Sequence, residues 1–334
     1  MEGFQRKELV TSRSLKYTYF VSSDGESTET IPALFFIHGF PDSAYLWNDV
    51  IANFGSLPNK IIVPDCLGYA GTDKPEDTRL YSYDGQADDL EDILKNENVK
   101  HTVIIGHDWG SVITQRTYLH KRHLFRGVIL VNTGYMVPSD KPFNLAAANK
   151  ISQEGLGYPQ FAYWEFFLAA DAAEILDGNL ERIWQVMHGD VEHWMQKLFC
   201  VTGAMRNFII GNKQVPLKEY ANKLHWKGHF LHQFKTDGFA SALQMYKATA
   251  FNIQLKSDSA IASGSLKVDV PILFVACTDD AVCVPDMMTP AKEQGLVPKL
   301  KQVTIDAGHW LPMEKPAELA FHIKEFLAGI GSSN

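Results

Sequence analysis

The sequence predicts an α/β fold, with a mostly parallel sheet flanked by helices and interrupted by an inserted helical cap. Three observations carry this. Continuous apolar runs of strand length recur early in the chain and return near its end. Helical stretches fall between the early runs. Between the two sets of runs the strand signal stops for roughly a hundred residues, and aromatic residues at helical spacing take over. A strand that is apolar at every position needs both faces covered, as in a parallel sheet between helix layers. Alternating strands and helices then connect through right-handed crossovers.

In chain order, the early strands are Ala33–Ile37 (ALFFI), Lys60–Pro64 (KIIVP), Thr102–Gly106 (TVIIG) and Gly127–Val131 (GVILV). Helices are expected over Asp84–Lys95, with acidic residues at its start, and over Gly110–His120, directly after the third run. From Pro138 to about Phe251 the chain is rich in Trp, Tyr, Phe and Ala, and Tyr163–Ala170 and Leu180–Phe199 read as amphipathic helices. Ser257–Ser265 reads as the loop returning the chain to the core. Strands resume at Val270–Ala276 and Gln302–Ile305, and a helix over about Ala317–Leu327 closes the fold. The domain reading is a core over 1–137, a cap over 138–254 and the rest of the core over 255–334. The cluster Asp88, Asp89, Glu91 and Asp92 is expected on a solvated helix face.

The composition fits this. With 334 residues, 46% hydrophobic and 21% charged, the chain can bury a large core, as one domain with an insertion or as two modest ones. A formal net charge of -8, and no basic run interleaved with aromatics, argue against a nucleic-acid partner. Cys66, Cys200, Cys277 and Cys283 lie far apart without a CxxC pair, so buried free thiols in a reducing compartment are expected. MEGFQRKELV lacks a secretory pattern, and no apolar stretch approaches the roughly 20 residues that cross a bilayer. The expectation is a cytoplasmic protein with no membrane span; its oligomeric state is open.

The most specific motif is Gly106-His107-Asp108-Trp109-Gly110-Ser111, which follows an apolar strand and opens a helix. That is the context of a nucleophile elbow, a sharp turn that projects one side chain from the top of the sheet. Crowding there demands small residues two before, two after and three after the nucleophile, and Gly106, Gly110 and Ser111 supply them. The central residue is Asp, which otherwise serves as an ordinary helix N-cap. The backbone N–H of Trp109 points at charge on the nucleophile or its adduct. After ALFFI, His38-Gly39-Phe40-Pro41 supplies a second such N–H from Phe40, with His38 structural and Pro41 a candidate for a cis bond. Asp306-Ala307-Gly308-His309-Trp310 follows the last strand, where this architecture keeps its base. Asp279 and Asp280 follow VPILFVA, where an acid orienting His309 belongs, and Asp280 is preferred. His225, His229 and His232 recur at i, i+4 and i+7, but hydrolysis through Asp108 needs no metal, and neither metal nor cofactor is expected.

Together HGFPDS, GHDWGS, TDDAVCVP and DAGHW resemble the soluble epoxide hydrolases of the α/β-hydrolase superfamily, in their single-domain, microbial form, over nearly the whole chain. The resemblance implies two cap tyrosines, at Tyr163 in Tyr163-Trp164-Glu165-Phe166-Phe167 and at Tyr246 in Met245-Tyr246-Lys247. It places the orienting acid on Asp280. The family's Gly-Tyr-Gly turn is Gly68-Tyr69-Ala70 here, and no phosphatase domain precedes the hydrolase pattern, so a single activity is expected. The physical case for the tyrosines is independent: an alkoxide leaves poorly, and two phenols can donate to the epoxide oxygen as charge develops.

The implied reaction is attack of the Asp108 carboxylate on an epoxide carbon while Tyr163 and Tyr246 hold the oxygen, giving an ester. His309, oriented by Asp280, then activates water against the ester, and the N–H groups of Phe40 and Trp109 stabilise the oxyanion. Phe40, Trp109, Tyr163 and Tyr246 are also the expected contacts to a small apolar epoxide. A haloalkane dehalogenase shares the Asp nucleophile, but it needs two side-chain N–H donors for the halide and places an amide or acid where Phe40 stands. Fluoroacetate-type dehalogenases tend to carry Arg where Trp109 stands. An inactive binding protein on the same fold would have no use for the Asp108–Asp280–His309 set.

Overall fold

The computed structural model describes residues 1–331, and among these eight strands form one sheet. They are β1 (Phe4–Val10), β2 (Lys16–Ser22), β3 (Ala33–Ile37), β4 (Ile61–Pro64), β5 (Thr102–His107), β6 (Phe125–Val131), β7 (Ile272–Cys277) and β8 (Leu300–Ile305). Their spatial order is β1-β2-β4-β3-β5-β6-β7-β8. β1, β2 and β4 pair antiparallel, and every pair from β4 through β8 is parallel. β3, β4, β5 and β7 are buried along their whole length, which explains their unbroken apolar sequences.

The first two strands carry little of that signal. β1 reads FQRKELV and is mostly exposed; its charged side chains blunt the open edge of the sheet. Helices Tyr83–Asn96, Trp109–His120 and Pro316–Gly331 extend the expected segments by a few residues at most. Ser82 caps the first of them by accepting from the Gly85 N–H at 3.3 Å.

Between β6 and β7 the chain is helical, from Leu145–Leu156 through Leu255–Ala262. This segment is tied to loops of the sheet by Ser241 Oγ donating to the Gly68 carbonyl (2.8 Å), Tyr158 Oη donating to the Ala281 carbonyl (3.1 Å), and Gln160 donating to the Val282 carbonyl. Three expectations change here. Tyr163–Ala170 is helical only over Trp164–Phe167. Leu180–Phe199 is two helices, Leu180–His188 and Trp194–Phe199. The break lies at Gly189, where the chain bridges to Leu217 and a Cβ would overlap the Trp194 indole. Ser257–Ser265 is mostly helix, because Ser257 meets His120 Nε2 (2.8 Å) and Asp258 pairs with Arg116 (2.7 and 3.0 Å).

Asp89 also departs from expectation. Its side chain is fully buried, accepting from Thr11 Oγ1 (2.7 Å), Arg13 Nη1 (2.7 Å) and Tyr17 Oη (3.1 Å). The β1–β2 hairpin covers that helix face, and Asp89 anchors it. Asp89→Ala would strand three donors, so a stability loss of about 3 kcal/mol is expected in urea denaturation. A loss under about 1 kcal/mol would remove Asp89 from this anchoring role.

Candidate active site

Asp108 stands between the last residue of β5 and the first turn of Trp109–His120, with φ 56° and ψ -125°. Side chains disfavour positive φ, so the turn holds Asp108 in a strained conformation. The neighbouring sequence permits it. A Cβ on Gly106 would overlap the Gly110 backbone, and one on Gly110 would overlap the Ile37 carbonyl. Buried Ser111 donates to the Gly106 carbonyl (2.7 Å), closing the turn.

β3 lies beside β5, so the His38-Gly39-Phe40-Pro41 loop meets the elbow. The Phe40 N–H donates to Asp108 Oδ1 at 2.8 Å. A Cβ on Gly39 would collide with the Asp108 carboxylate, so glycine permits this approach. The Phe40–Pro41 bond is cis. His38 is buried, accepts from the Cys66 N–H at 2.8 Å, and lies 2.9 Å from the Gly39 carbonyl through Nδ1. Burial pushes its pKa down to about 4. Ala70 takes positive φ (45°) in the Gly68-Tyr69-Ala70 turn.

His309 follows β8, and its Nδ1 lies 2.6 Å from Asp280 Oδ2. Its Nε2 lies 3.5 Å from Asp108 Oδ2. Asp280 is buried, whereas Asp279 is exposed and faces Lys218 at 3.4 Å. Burial would lower the His309 pKa, but the charge of Asp280 and hydrogen bonds with Asp108 and Asp280 hold it well above the usual histidine value. Burial opposes the charge on Asp280 too, yet His309 and the N–H donors around it bring its pKa below the ordinary one. Those donors include the Val282 (3.0 Å) and Cys283 (2.7 Å) amides and Asn132 Nδ2 (2.8 Å). His107 Nε2 meets the His309 carbonyl at 2.8 Å, tying the residue before Asp108 to the His309 loop.

Tyr163 immediately precedes the helix Trp164–Phe167, and Tyr246 lies in Gln244–Ala250. Their rings are 5.9 Å apart, and Tyr246 packs edge-on against Phe40 and Trp109, each at 5.3 Å. Burial pushes both phenols' pKa values up, and the negative charge of Asp108 pushes them further, so both stay protonated donors. A cavity of about 460 Å³ is lined by Phe40, Asp108, Tyr163, Tyr246 and His309 together with aliphatic and Met side chains. A second, of about 600 Å³, is lined by Asp108, Trp109, Tyr163 and Trp164 among others. The nucleophile candidate thus meets two apolar spaces.

Sequence reasoning missed Asn132, Asp42 and Cys283. Asn132 had a signal, a polar residue directly after an apolar strand; Asp42 stood within HGFPDS. Asp280, Cys283 and His309 form the one group of possible metal ligands found among the described residues. Burial and the Asp280 charge push the Cys283 thiol up to about 11, and Asp280 and His309 already bond each other, so the trio suits hydrogen bonding better than an ion. The three helix histidines diverge. His229 meets Ser43 Oγ (2.9 Å), His225 lies 3.8 Å from Asp49, and His232 is exposed.

Residues 32–316 match the family described as the alpha/beta hydrolase fold. The chain is 27% identical over 303 residues to bifunctional epoxide hydrolase 2 of Sus scrofa, covering 89% of this chain and 51% of that one. It is 27% identical over 308 residues to epoxide hydrolase A of Mycobacterium tuberculosis, covering 90% and 91%. The chain therefore spans about half the length of the mammalian relatives and nearly all of the bacterial one. An epoxide hydrolase structure from an endophytic Streptomyces superposes with a TM-score of 0.79 at 20% identity, over 99% of this chain and 97% of that one. Epoxide hydrolase A from Mycobacterium thermoresistibile gives 0.77 at 21% identity, over 98% of each. Among the described residues, no helix is long and apolar enough to cross a membrane.

Proposed function

This chain belongs to the alpha/beta hydrolase fold family, and on that premise we propose that it converts epoxides and water to vicinal diols through a covalent ester on Asp108. The observation that carries the reading is the facing arrangement of a carboxylate nucleophile and two protonated cap phenols across an apolar cavity. Asp108 attacks an epoxide carbon; the C–O bond breaks and its electron pair goes to the oxygen, which Tyr163 and Tyr246 stabilise by hydrogen bonding and which takes a proton from one of these phenols. Phe40, Trp109 and the tyrosines hold the substrate. A water then attacks the ester carbonyl carbon as His309, oriented by Asp280, takes its proton. The N–H groups of Phe40 and Trp109 stabilise the tetrahedral oxyanion; as it collapses, the leaving oxygen takes the proton held by His309, the diol departs, and the proton left on the Asp108 carboxyl returns to the deprotonated tyrosine, restoring the carboxylate. The substrate is a small, apolar epoxide, and its conversion to diol removes an alkylating electrophile, the chemistry of detoxification. Four free, buried cysteines support a reducing, cytoplasmic setting.

A single turnover in ¹⁸O water, with enzyme in excess, tests the ester directly. The first diol should be unlabelled and the peptide spanning Gly106–Ser111 labelled. Labelled diol with an unlabelled peptide would make Asp108 a general base for water.

Tyr163→Phe and Tyr246→Phe should each slow ester formation by about one to three powers of ten, the scale of one lost donor to developing charge. Alkylation at the parent rate in both variants would reduce the tyrosines to cap packing. One observation favours a second reading, a haloalkane dehalogenase: Trp109 and Trp164 line the same cavity with ring centroids 5.6 Å apart, where two indole N–H groups could hold a halide. Assaying diol from a styrene-type epoxide and halide from a bromoalkane separates the two.

A further inference from the structure

Among the described residues, the indole N–H groups of Trp47, Trp164 and Trp226 are buried without a protein hydrogen-bond partner. Trp164 lines the cavity of about 600 Å³ that also takes in Asp108, Trp109 and Tyr163. It is more than nine-tenths buried, and leaving such a donor unpaired is costly. Its ring packs against those of Trp109 (5.6 Å), Phe143 (5.5 Å), Phe161 (5.6 Å), Tyr163 (6.4 Å) and Tyr246 (5.2 Å). Of these five side chains, only the two tyrosines carry an oxygen that can accept.

The two phenols are not equivalent. Burial and the charge of Asp108 oppose ionisation of Tyr163, while hydrogen bonding from the Trp164 indole and from the Tyr246 hydroxyl favours it. Burial and the charges of Tyr163 and Asp108 oppose ionisation of Tyr246, which has hydrogen bonding from the Trp109 indole in its favour. The donors thus converge on the Tyr163 oxygen: Tyr246 spends its hydroxyl proton on Tyr163, and Tyr163 keeps its own for the substrate.

Ester formation moves a negative charge across the cavity. The Asp108 carboxylate gives an electron pair to an epoxide carbon, the C–O bond breaks onto the oxygen, and that oxygen takes a phenolic proton. What remains is a neutral ester and a buried phenolate. Among aromatic rings a phenolate is poorly solvated and depends on fixed donors. We infer that Tyr163 is the phenol that gives up its proton, and that Trp164 is a positioning residue whose indole N–H pairs with the resulting phenolate. A donor unpaired at rest gains its partner as the charge develops, which is where a hydrogen bond lowers a barrier. The inference rests on the proposed ester mechanism.

The test is a double-mutant cycle on ester formation in the full chain, read by rapid-quench mass spectrometry with a styrene-type epoxide. Trp164→Phe should slow ester formation about ten- to hundredfold, the scale of one hydrogen bond to a charged group, and leave ester hydrolysis within about twofold of the parent. In a Tyr163→Phe background, where no phenolate can form at that position, adding Trp164→Phe should change ester formation by less than about twofold. In a Tyr246→Phe background it should keep its full effect. A merely structural indole would slow the reaction equally in all backgrounds, and that result overturns the inference, as does equal slowing of both half-reactions. Loss of the effect with Tyr246→Phe instead of Tyr163→Phe also overturns it. If Trp164→Phe does not fold, a benzothienyl side chain at position 164, which keeps the bicyclic shape with sulfur in place of N–H, carries the same comparison. If the parent itself never gains a substrate mass, the ester mechanism has failed, which is distinct from an ester that forms at the parent rate without the indole N–H.

Discussion

Asp108→Ala is expected to lose turnover by about four powers of ten or more while the protein stays folded. The loss is large because no other carboxylate occupies the elbow, and the phenols of Tyr163 and Tyr246 can stabilise developing charge but cannot open the ring. The fold should survive because the turn is closed by Gly106, Gly110 and the Ser111 hydrogen bond, none of which involves the Asp108 carboxylate. The Phe40 N–H, which donates to Oδ1 at 2.8 Å, would be left as a single unpaired donor. Activity assayed beside circular dichroism decides the matter: more than a few per cent of activity in a folded variant would end the nucleophile assignment.

His309→Gln should stop the reaction halfway. Ring opening uses a carboxylate and two phenols, so it should proceed, whereas ester hydrolysis should slow by about two to four powers of ten, the usual worth of a positioned base. Mass spectrometry should show protein plus one substrate mass; unmodified protein alone, with epoxide present, would contradict the two-step scheme. In the proposed mechanism, the electrostatics account for a base that acts late. Burial opposes the imidazolium, and Asp280 and Asp108 sustain it. Esterification removes the Asp108 charge, so one of those supports disappears while burial remains. The His309 pKa then falls, and its neutral form, the one able to take a proton from water, becomes more populated.

What the sequence determined by itself was local chemistry. β3 was legible end to end because a buried parallel strand must be apolar at every position, and its sequence is ALFFI. The elbow was legible because its crowding is relieved within a few residues, by Gly106, Gly110 and Ser111. The helix at Leu180 was visible, but its end at Gly189 was not, since that break follows from a bridge to Leu217 and packing on Trp194. Tertiary structure alone decided which partners long-range packing brought together. It buried Asp280 against His309 and left adjacent Asp279 facing solvent. It brought Asn132 to Asp280 across 148 positions of chain. It buried Asp89 beneath a hairpin whose first strand has almost no apolar pattern. The physical reason is common to these cases: backbone conformation is limited by a residue's near neighbours, whereas burial and hydrogen-bond partners depend on segments that only the folded chain makes adjacent.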